Sequence, residues 1–254
     1  MTSLEVIALQ GLPMVKAGDD LAGLIASALE RNGVAPRAQD VLVVAQKIVS
    51  KAEDRIVDLA TVKPSAKALT LAAEVGKDPR LVEVILSESV RVVRARRGLI
   101  IVEHKLGFIM ANGGVDQSNV APADGSAHVL LLPENPDRSA EALRGSMKAR
   151  TGVDLAIVIN DSFGRPWRQG TVGVAIGAAG LPALIDLRGR SDLFGRKLEV
   201  SVIGFADEVA AAASLLMGQA DEALPAVLIR GLSWSAPESA AASLVRPPNE
   251  DLFR

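Results

Sequence analysis

The sequence predicts an α/β or mixed α+β protein. Three observations carry that prediction. Short β-branched runs such as Val41 to Ala45 read as buried strands, and stretches with helical apolar periodicity lie between such runs. The two kinds of segment follow each other irregularly, without the strict strand–helix–strand rhythm of a doubly wound parallel sheet. The 254 residues suit a single domain over 1–254, or two packed lobes within it.

Val6 to Leu9 reads as a short strand that runs into the turn signal Gly11-Leu12-Pro13. Asp19 and Asp20 precede Leu21, Leu24, Ile25 and Leu29, and Asn32-Gly33 follows, so an acidic start and an Asn-Gly stop bracket a helix. Val41 to Ala45 is a compact buried strand. Ser65 to Val75 and Arg80 to Leu86 read as helices, and Val90 to Val93, Leu99 to Val102 and Phe108 to Met110 as strands. Residues 113–126 are a loop rich in Gly, Asn, Asp, Ser and Pro. Val129 to Leu132 is then a strand, Ser139 to Thr151 a helix and Leu155 to Ile159 a buried strand, with Asn160 to Gly170 as a polar loop. Strands at Ala183 to Leu187 and Leu198 to Ile203, a helix at Asp207 to Met217 and a strand at Val227 to Ile229 complete the order. The stretch from Pro237 is polar.

Composition narrows the chemistry. Aromatic residues make up 3% of the chain and tyrosine is absent, so Ala, Val, Leu and Ile build the core and stacking on nucleic-acid bases has little support. A net charge of -2 shows no basic excess for a nucleic-acid partner. With no cysteine, disulfides and thiolate chemistry are excluded, and with only His104 and His128 a metal must rest on oxygen ligands, which suits Mg²⁺ or Mn²⁺. Met1 to Gln10 lacks the basic start and cleavage site of a signal peptide, and no apolar run approaches the roughly 20 residues of a membrane-spanning helix. The expectation is a cytoplasmic protein.

Two loops stand out: Asn112-Gly113-Gly114-Val115-Asp116-Gln117-Ser118-Asn119, and Asn160-Asp161-Ser162-Phe163-Gly164-Arg165-Pro166-Trp167-Arg168-Gln169-Gly170. Each follows an apolar strand and presents a carboxylate among groups that can bind oxygen. Two such carboxylates brought together make a divalent-metal site that shares ligands with substrate phosphates. Arg165 and Arg168 can meet phosphate or carboxylate oxygens in bidentate fashion. By spacing alone, each loop reads equally as a polar turn with Asx-type hydrogen bonds. The pairing of the loops and the Arg-Pro-Trp-Arg run favour a functional reading.

Lys47 and Lys51, just after the strand at Val41 to Ala45, can neutralise a polyphosphate, although a solvated basic edge is the plainer reading. Neither a Walker A sequence nor a strand-borne Gly-x-Gly-x-x-Gly occurs, and no Gly-x-Ser-x-Gly elbow supports a serine hydrolase. His104 and His128 read as structural or surface residues.

Taken together, these segments resemble the coenzyme F420-0:L-glutamate ligase family of γ-glutamyl ligases. The resemblance extends over nearly the whole chain. It includes Gly11-Leu12-Pro13, Val49-Ser50-Lys51-Ala52-Glu53, both aspartate loops, Met217-Gly218-Gln219-Ala220 and the closing Glu250-Asp251-Leu252-Phe253. It implies a GTP-dependent ligase that joins L-glutamate to coenzyme F420-0 through an acyl phosphate. It also implies Mg²⁺ or Mn²⁺, potassium as a further ion, and a mixed α/β fold forming an intertwined homodimer. The nitroreductase-like domain that some relatives carry is not expected here.

Carried over by motif, Asp116 and Asp161 resemble metal ligands, with Ser162 and Gln219 also near metal. Lys51 joins Asp116 and Asp161 as a catalytic candidate. The GTP contacts implied are Gly11, Leu12, Pro13 and Met14, Gln46, Lys51 and Asn119, and the stretch Met217, Gly218, Gln219, Ala220, Asp221, Glu222, Ala223 and Leu224. Gln46 stands where the family usually has Ser or Thr, and Ser162 where Thr is common. The Gln46 departure keeps open the same chemistry on another carboxylate and amine. A GTP-binding regulator without ligase activity is the alternative from a different class.

Overall fold

The computed structural model describes residues 3–118 and 127–252. Its elements run β1 (Glu5–Ala8), α1 (Leu21–Arg31), β2 (Val41–Ala45), α2 (Gln46–Ala52), β3 (Ile56–Asp58), α3 (Ala66–Val75), α4 (Pro79–Ser87), β4 (Ser89–Arg96), β5 (Leu99–His104) and β6 (Ile109–Ala111). They continue with β7 (His128–Leu130), α5 (Pro136–Thr151), β8 (Ala156–Gly164), β9 (Thr171–Ala179), β10 (Ile185–Asp186), β11 (Val202–Ile203), α6 (Phe205–Met217) and β12 (Ala226–Arg230). The mixed α/β class is the one the sequence predicts.

The central sheet has the order β1-β12-β2-β8-β9. β2 pairs parallel with β8 and antiparallel with β12, and the remaining pairs are antiparallel. Alternation along the strands sorts their side chains into two cores. Leu42, Val44, Ile157, Ile159 and Leu228 join α1, α2 and α5 on one face, while Val41, Val43, Val158, Val227 and Ile229 join α6 on the other. Burying one such side chain contributes about 1.5–3 kcal/mol, so covering both faces is what makes β2 and β8 rigid. A third core gathers α3, α4 and β5 around Leu59, Ile85, Ile100 and Val129, alongside the three-stranded sheet β4-β5-β6 and the β3-β7 pair.

Helix ends follow the local chemistry. The Asp20 side chain accepts from Gly23 N–H to start α1, and Asn32 ends it. Ser65 caps α3, which stops at Gly76 in the left-handed region, and Asp78 with Pro79 starts α4.

Several expectations need correction. Asn160 to Gly170 is not one polar loop. β8 continues to Gly164 and pairs with β9 from Thr171, so only residues 165–170 form the turn. Asp161 is therefore inside a strand. A register shift between Ile159 and Asn160 marks where the hairpin leaves the core. The segment after β2 is helix α2, and β3 and β9 are strands that apolar periodicity does not reveal. β9 reads Thr-Val-Gly-Val-Ala-Ile-Gly-Ala-Ala, poor in strand signal because its glycines serve packing. A Cβ on Gly173 would lie 2.5 Å from the Ala210 carbonyl of α6, and one on Gly177 would lie 2.4 Å from the Pro136 carbonyl of α5. Only glycine lets both helices close onto this strand.

Candidate active site

The two carboxylates come close enough for the Asp116 charge to act on Asp161, which sits within β8. Asp161 follows Asn160, which is in register with Ala45 at the end of β2. Asp116 is positioned differently: it lies past β6 and is clamped by a two-hydrogen-bond bridge to Leu130. Its Oδ1 accepts the Ser118 N–H at 2.7 Å, so it does form an Asx turn. That turn still leaves Oδ2 to accept from Lys47 Nζ at 2.8 Å. Lys47 also donates to Ser118 Oγ at 2.7 Å. The turn and the site are thus one structure.

Lys47 and Lys51 are one helical turn apart on α2. They are not a solvated basic edge, since Lys51 is only 9% exposed. Burial depresses its ammonium pKa, and the Lys47 charge adds to this while Asp116 opposes it. Gln46 is also buried, and its Oε1 accepts from Ser50 Oγ at 2.9 Å. The departing residue is thus used inside α2.

The two aspartates sit in opposite electrostatic states. Asp161 is pushed up to about 6, by burial first and then by the Asp116 charge, against the pull of the Ser162 N–H and Lys47. Asp116 ends below the usual carboxylate range. Burial is the largest influence on it and acts upward, but Lys47 and Ser118 outweigh it together.

On the other side of β8, Ser162 Oγ donates to Gln219 Oε1 at 2.6 Å. Asn160 faces the same side: its Nδ2 donates to Ser214 Oγ at 2.9 Å and lies 3.3 Å from Met217 Sδ. Its Oδ1 is buried without a partner among the described residues. The sequence marks the loop that begins at Asn160 but gives Asn160 itself no role, because Asn before Asp carries the same signal as an ordinary turn.

A cleft of about 370 Å³ is lined by Gln46, Lys47, Lys51, Asp161, Ser162 and Gln219, while Asp116 lies outside its lining. Leu12, Pro13 and Met14 form one wall and the stretch Met217 to Leu224 the other, with Gln46, Lys47, Lys51, Asp161 and Ser162 along its base. In the second wall the Ala220 N–H donates to Glu222 Oε2 at 2.8 Å. This bond leads a set of backbone N–H groups that hold the Glu222 carboxyl below its ordinary range. Gly11 lies just outside the cleft, where its carbonyl accepts from Arg31 at 2.9 Å. Asn119 lies outside the described residues.

The family model described as F420-0:Gamma-glutamyl ligase matches residues 11–231. The chain belongs to this family. It is 47% identical over 253 residues to the coenzyme F420:L-glutamate ligase of Methanothermobacter thermautotrophicus, covering 99% of both chains. It is 45% identical to the protein of that name from Methanopyrus kandleri, covering all of both chains. For the Methanocaldococcus jannaschii protein of that name the identity is 42%, over 99% of this chain and 97% of the other. The matched range spans the sequence positions of both cleft walls and both aspartates.

The donor set fits a hard cation. Asp116, Asp161, Ser162 and Gln219 all offer oxygen. Asp161 resists ionisation where Asp116 is already charged, and a divalent ion between them would favour both carboxylates. The oxygens form two pairs on either side of β8, and among the described residues no cluster of three or more acidic or histidine side chains occurs. No described helix is long and apolar enough to cross a membrane.

Proposed function

We propose that this protein is a GTP-dependent ligase that adds L-glutamate to coenzyme F420-0 through γ-linkages. The observation that carries this reading is the single cleft that unites the Leu12–Met14 and Met217–Leu224 walls, two lysines and Asp161. Its walls come from opposite ends of the chain, and its base is cationic on α2 and anionic on β8. That suits a triphosphate with its counter-ion.

The chemistry is activation followed by amide formation. A terminal carboxylate oxygen of the acceptor attacks the γ-phosphorus of GTP, the bond to the β-phosphate oxygen breaks, and GDP leaves. The α-amine of glutamate then attacks the carbonyl carbon of the acyl phosphate, sheds a proton, and orthophosphate departs with the C–O bond. Repetition on the newly exposed γ-carboxylate lengthens the chain.

Lys47 and Lys51 would neutralise phosphate oxygens, and the burial of Lys51 supports this by strengthening its charge interactions. The N–H groups that gather on the Glu222 carboxylate are arranged to take a phosphate oxygen instead. Asp116 and Asp161 would hold Mg²⁺ or Mn²⁺ with Ser162 and Gln219 alongside, and the ion would supply charge neutralisation at the transferring phosphoryl group. Positioning then supplies most of the rate, and no histidine or cysteine is needed. We also assign potassium as a further ion and a homodimer as the working assembly.

The test is a product assay with GTP, L-glutamate, Mg²⁺ or Mn²⁺, and the deazaflavin precursor, read by mass spectrometry. A glutamyl adduct formed with equal amounts of GDP and phosphate is expected. GTP binding without turnover under these conditions would identify a regulator instead.

A further inference from the structure

The hairpin formed by β8 and β9 extends past the cleft and ends in Arg165-Pro166-Trp167-Arg168. Trp167 is 88% exposed. It also has φ +64°, in the left-handed region. A bulky side chain there is strained by about 1–3 kcal/mol, and an exposed indole recovers none of that by burial. The turn is nevertheless held in shape: Arg165 Nη1 donates to the Gly170 carbonyl at 3.0 Å. Neither Arg165 nor Arg168 has a carboxylate partner among the described residues.

The hairpin is continuous with the reacting centre. Asp161 and Phe163 project from the same face of β8, and Phe163 lies 6.0 Å from Phe108, ring centre to ring centre. From Asp161 to Arg165 the chain advances about 13 Å, the spacing of four strand residues. In a chain with five phenylalanines, two tryptophans and no tyrosine, Phe108 and Phe163 pair beside this strand and Trp167 follows four residues later in the hairpin turn. A path from carboxylate to aromatic pair to cationic, aromatic tip matches a ligand with an anionic reacting end and a flat ring far from it.

We propose that the 165–170 tip is the docking platform for the acceptor, with Trp167 stacking on its deazaflavin ring and Arg165 and Arg168 drawing in its negative charge. This rests on the ligase reading above. Trp167→Ala is expected to raise KM for the acceptor about tenfold or more, the usual scale for losing one aromatic stack. It should leave KM for GTP unchanged and kcat at saturating acceptor within about twofold, and Trp167→Phe should restore most of the loss.

Binding can be read without turnover. Trp234 packs on Phe205, away from the cleft. In a Trp234→Phe background Trp167 is the sole indole, and adding the acceptor without GTP should quench its fluorescence to saturation. If the wild-type chain forms no product, the ligase reading fails, and the quenching titration still decides the platform. An unchanged acceptor KM in Trp167→Ala, or an absence of quenching, overturns the platform. So does a change in oligomeric state in Trp167→Ala, which would show the tip to be an interface between copies.

Discussion

Asp116 and Asp161 are the same side chain in two different settings. Asp116 rests in a turn, already paired with Lys47 at 2.8 Å. Asp161 rests in a strand, enclosed and resisting ionisation up to about pH 6. The first is a satisfied carboxylate that any polar turn could supply. The second is a carboxylate whose environment works against its charge, which natural proteins tolerate mainly where a ligand relieves the cost. The difference teaches that the pair is unevenly neutralised: Lys47 bonds Asp116, while on Asp161 it acts only through its charge.

Exchanging each carboxylate for its amide breaks the comparison most strongly. Asp161→Asn and Asp116→Asn are each expected to cut product formation by about 10³-fold or more, on the scale of removing a principal electrostatic group. Retained full activity in either purified variant would remove that aspartate from the site.

The same two variants should separate in stability. Asp161 has a raised folded-state pKa, so its stability is full below about pH 4 and is lost as pH rises through about 6. Asp161→Asn should therefore raise the metal-free melting temperature at pH 8, by about 2–4 °C for each kcal/mol recovered. Asp116 has a lowered pKa, so its contribution is present at neutral pH and lost as pH falls through the acid range. Asp116→Asn should lower the melting temperature at pH 8. Shifts of the same sign in differential scanning calorimetry would erase the contrast.

A divalent ion should level the difference. Saturating Mn²⁺ is expected to stabilise the wild-type chain by about 2–3 kcal/mol at a hundredfold excess over Kd. The effect should weaken below pH 6, as a proton competes at Asp161. An ion effect that is flat from pH 5 to pH 8 would place the metal elsewhere.

The smallest effect isolates the Ser162–Gln219 side. Gly173 is in register with Ser162 and close-packed on α6. Gly173→Ala should cost about 1–3 kcal/mol in urea unfolding, the range for overpacking a tight contact. It displaces the Ser162 side while leaving the Lys47–Asp116 pair in place.

Much of this was legible in the sequence. β2 declares itself through its unbroken β-branched run, and α1 through Asp20 and Asn32 at its ends, because these signals are local. α2 starts directly from β2 without a side-chain cap, so nothing marks its beginning. The β8–β9 hairpin looked like a loop because its composition answers to partners: polar groups at the cleft, and glycines against Ala210 and Pro136. The candidate site residues were picked out as motifs, and the grouping of many of them along one cleft required the fold. Lys47 was recognised as cationic, but its bond to Asp116, 69 positions away in sequence, follows from tertiary contact alone.

The pairing of β1 with β12 has a consequence for how the protein is made. Ile7 is in register with Leu228, so the chain's two ends are zipped together. The Leu12–Met14 wall hangs from one of these strands and the Met217–Leu224 wall leads into the other. Closing a loop of that length is slow and entropically costly, and it comes after local helices have formed. On the ribosome, this cleft cannot form until β12 has emerged and found β1 and β2. A chain cut short before β12 therefore lacks the anchor of one wall and forms no complete cleft.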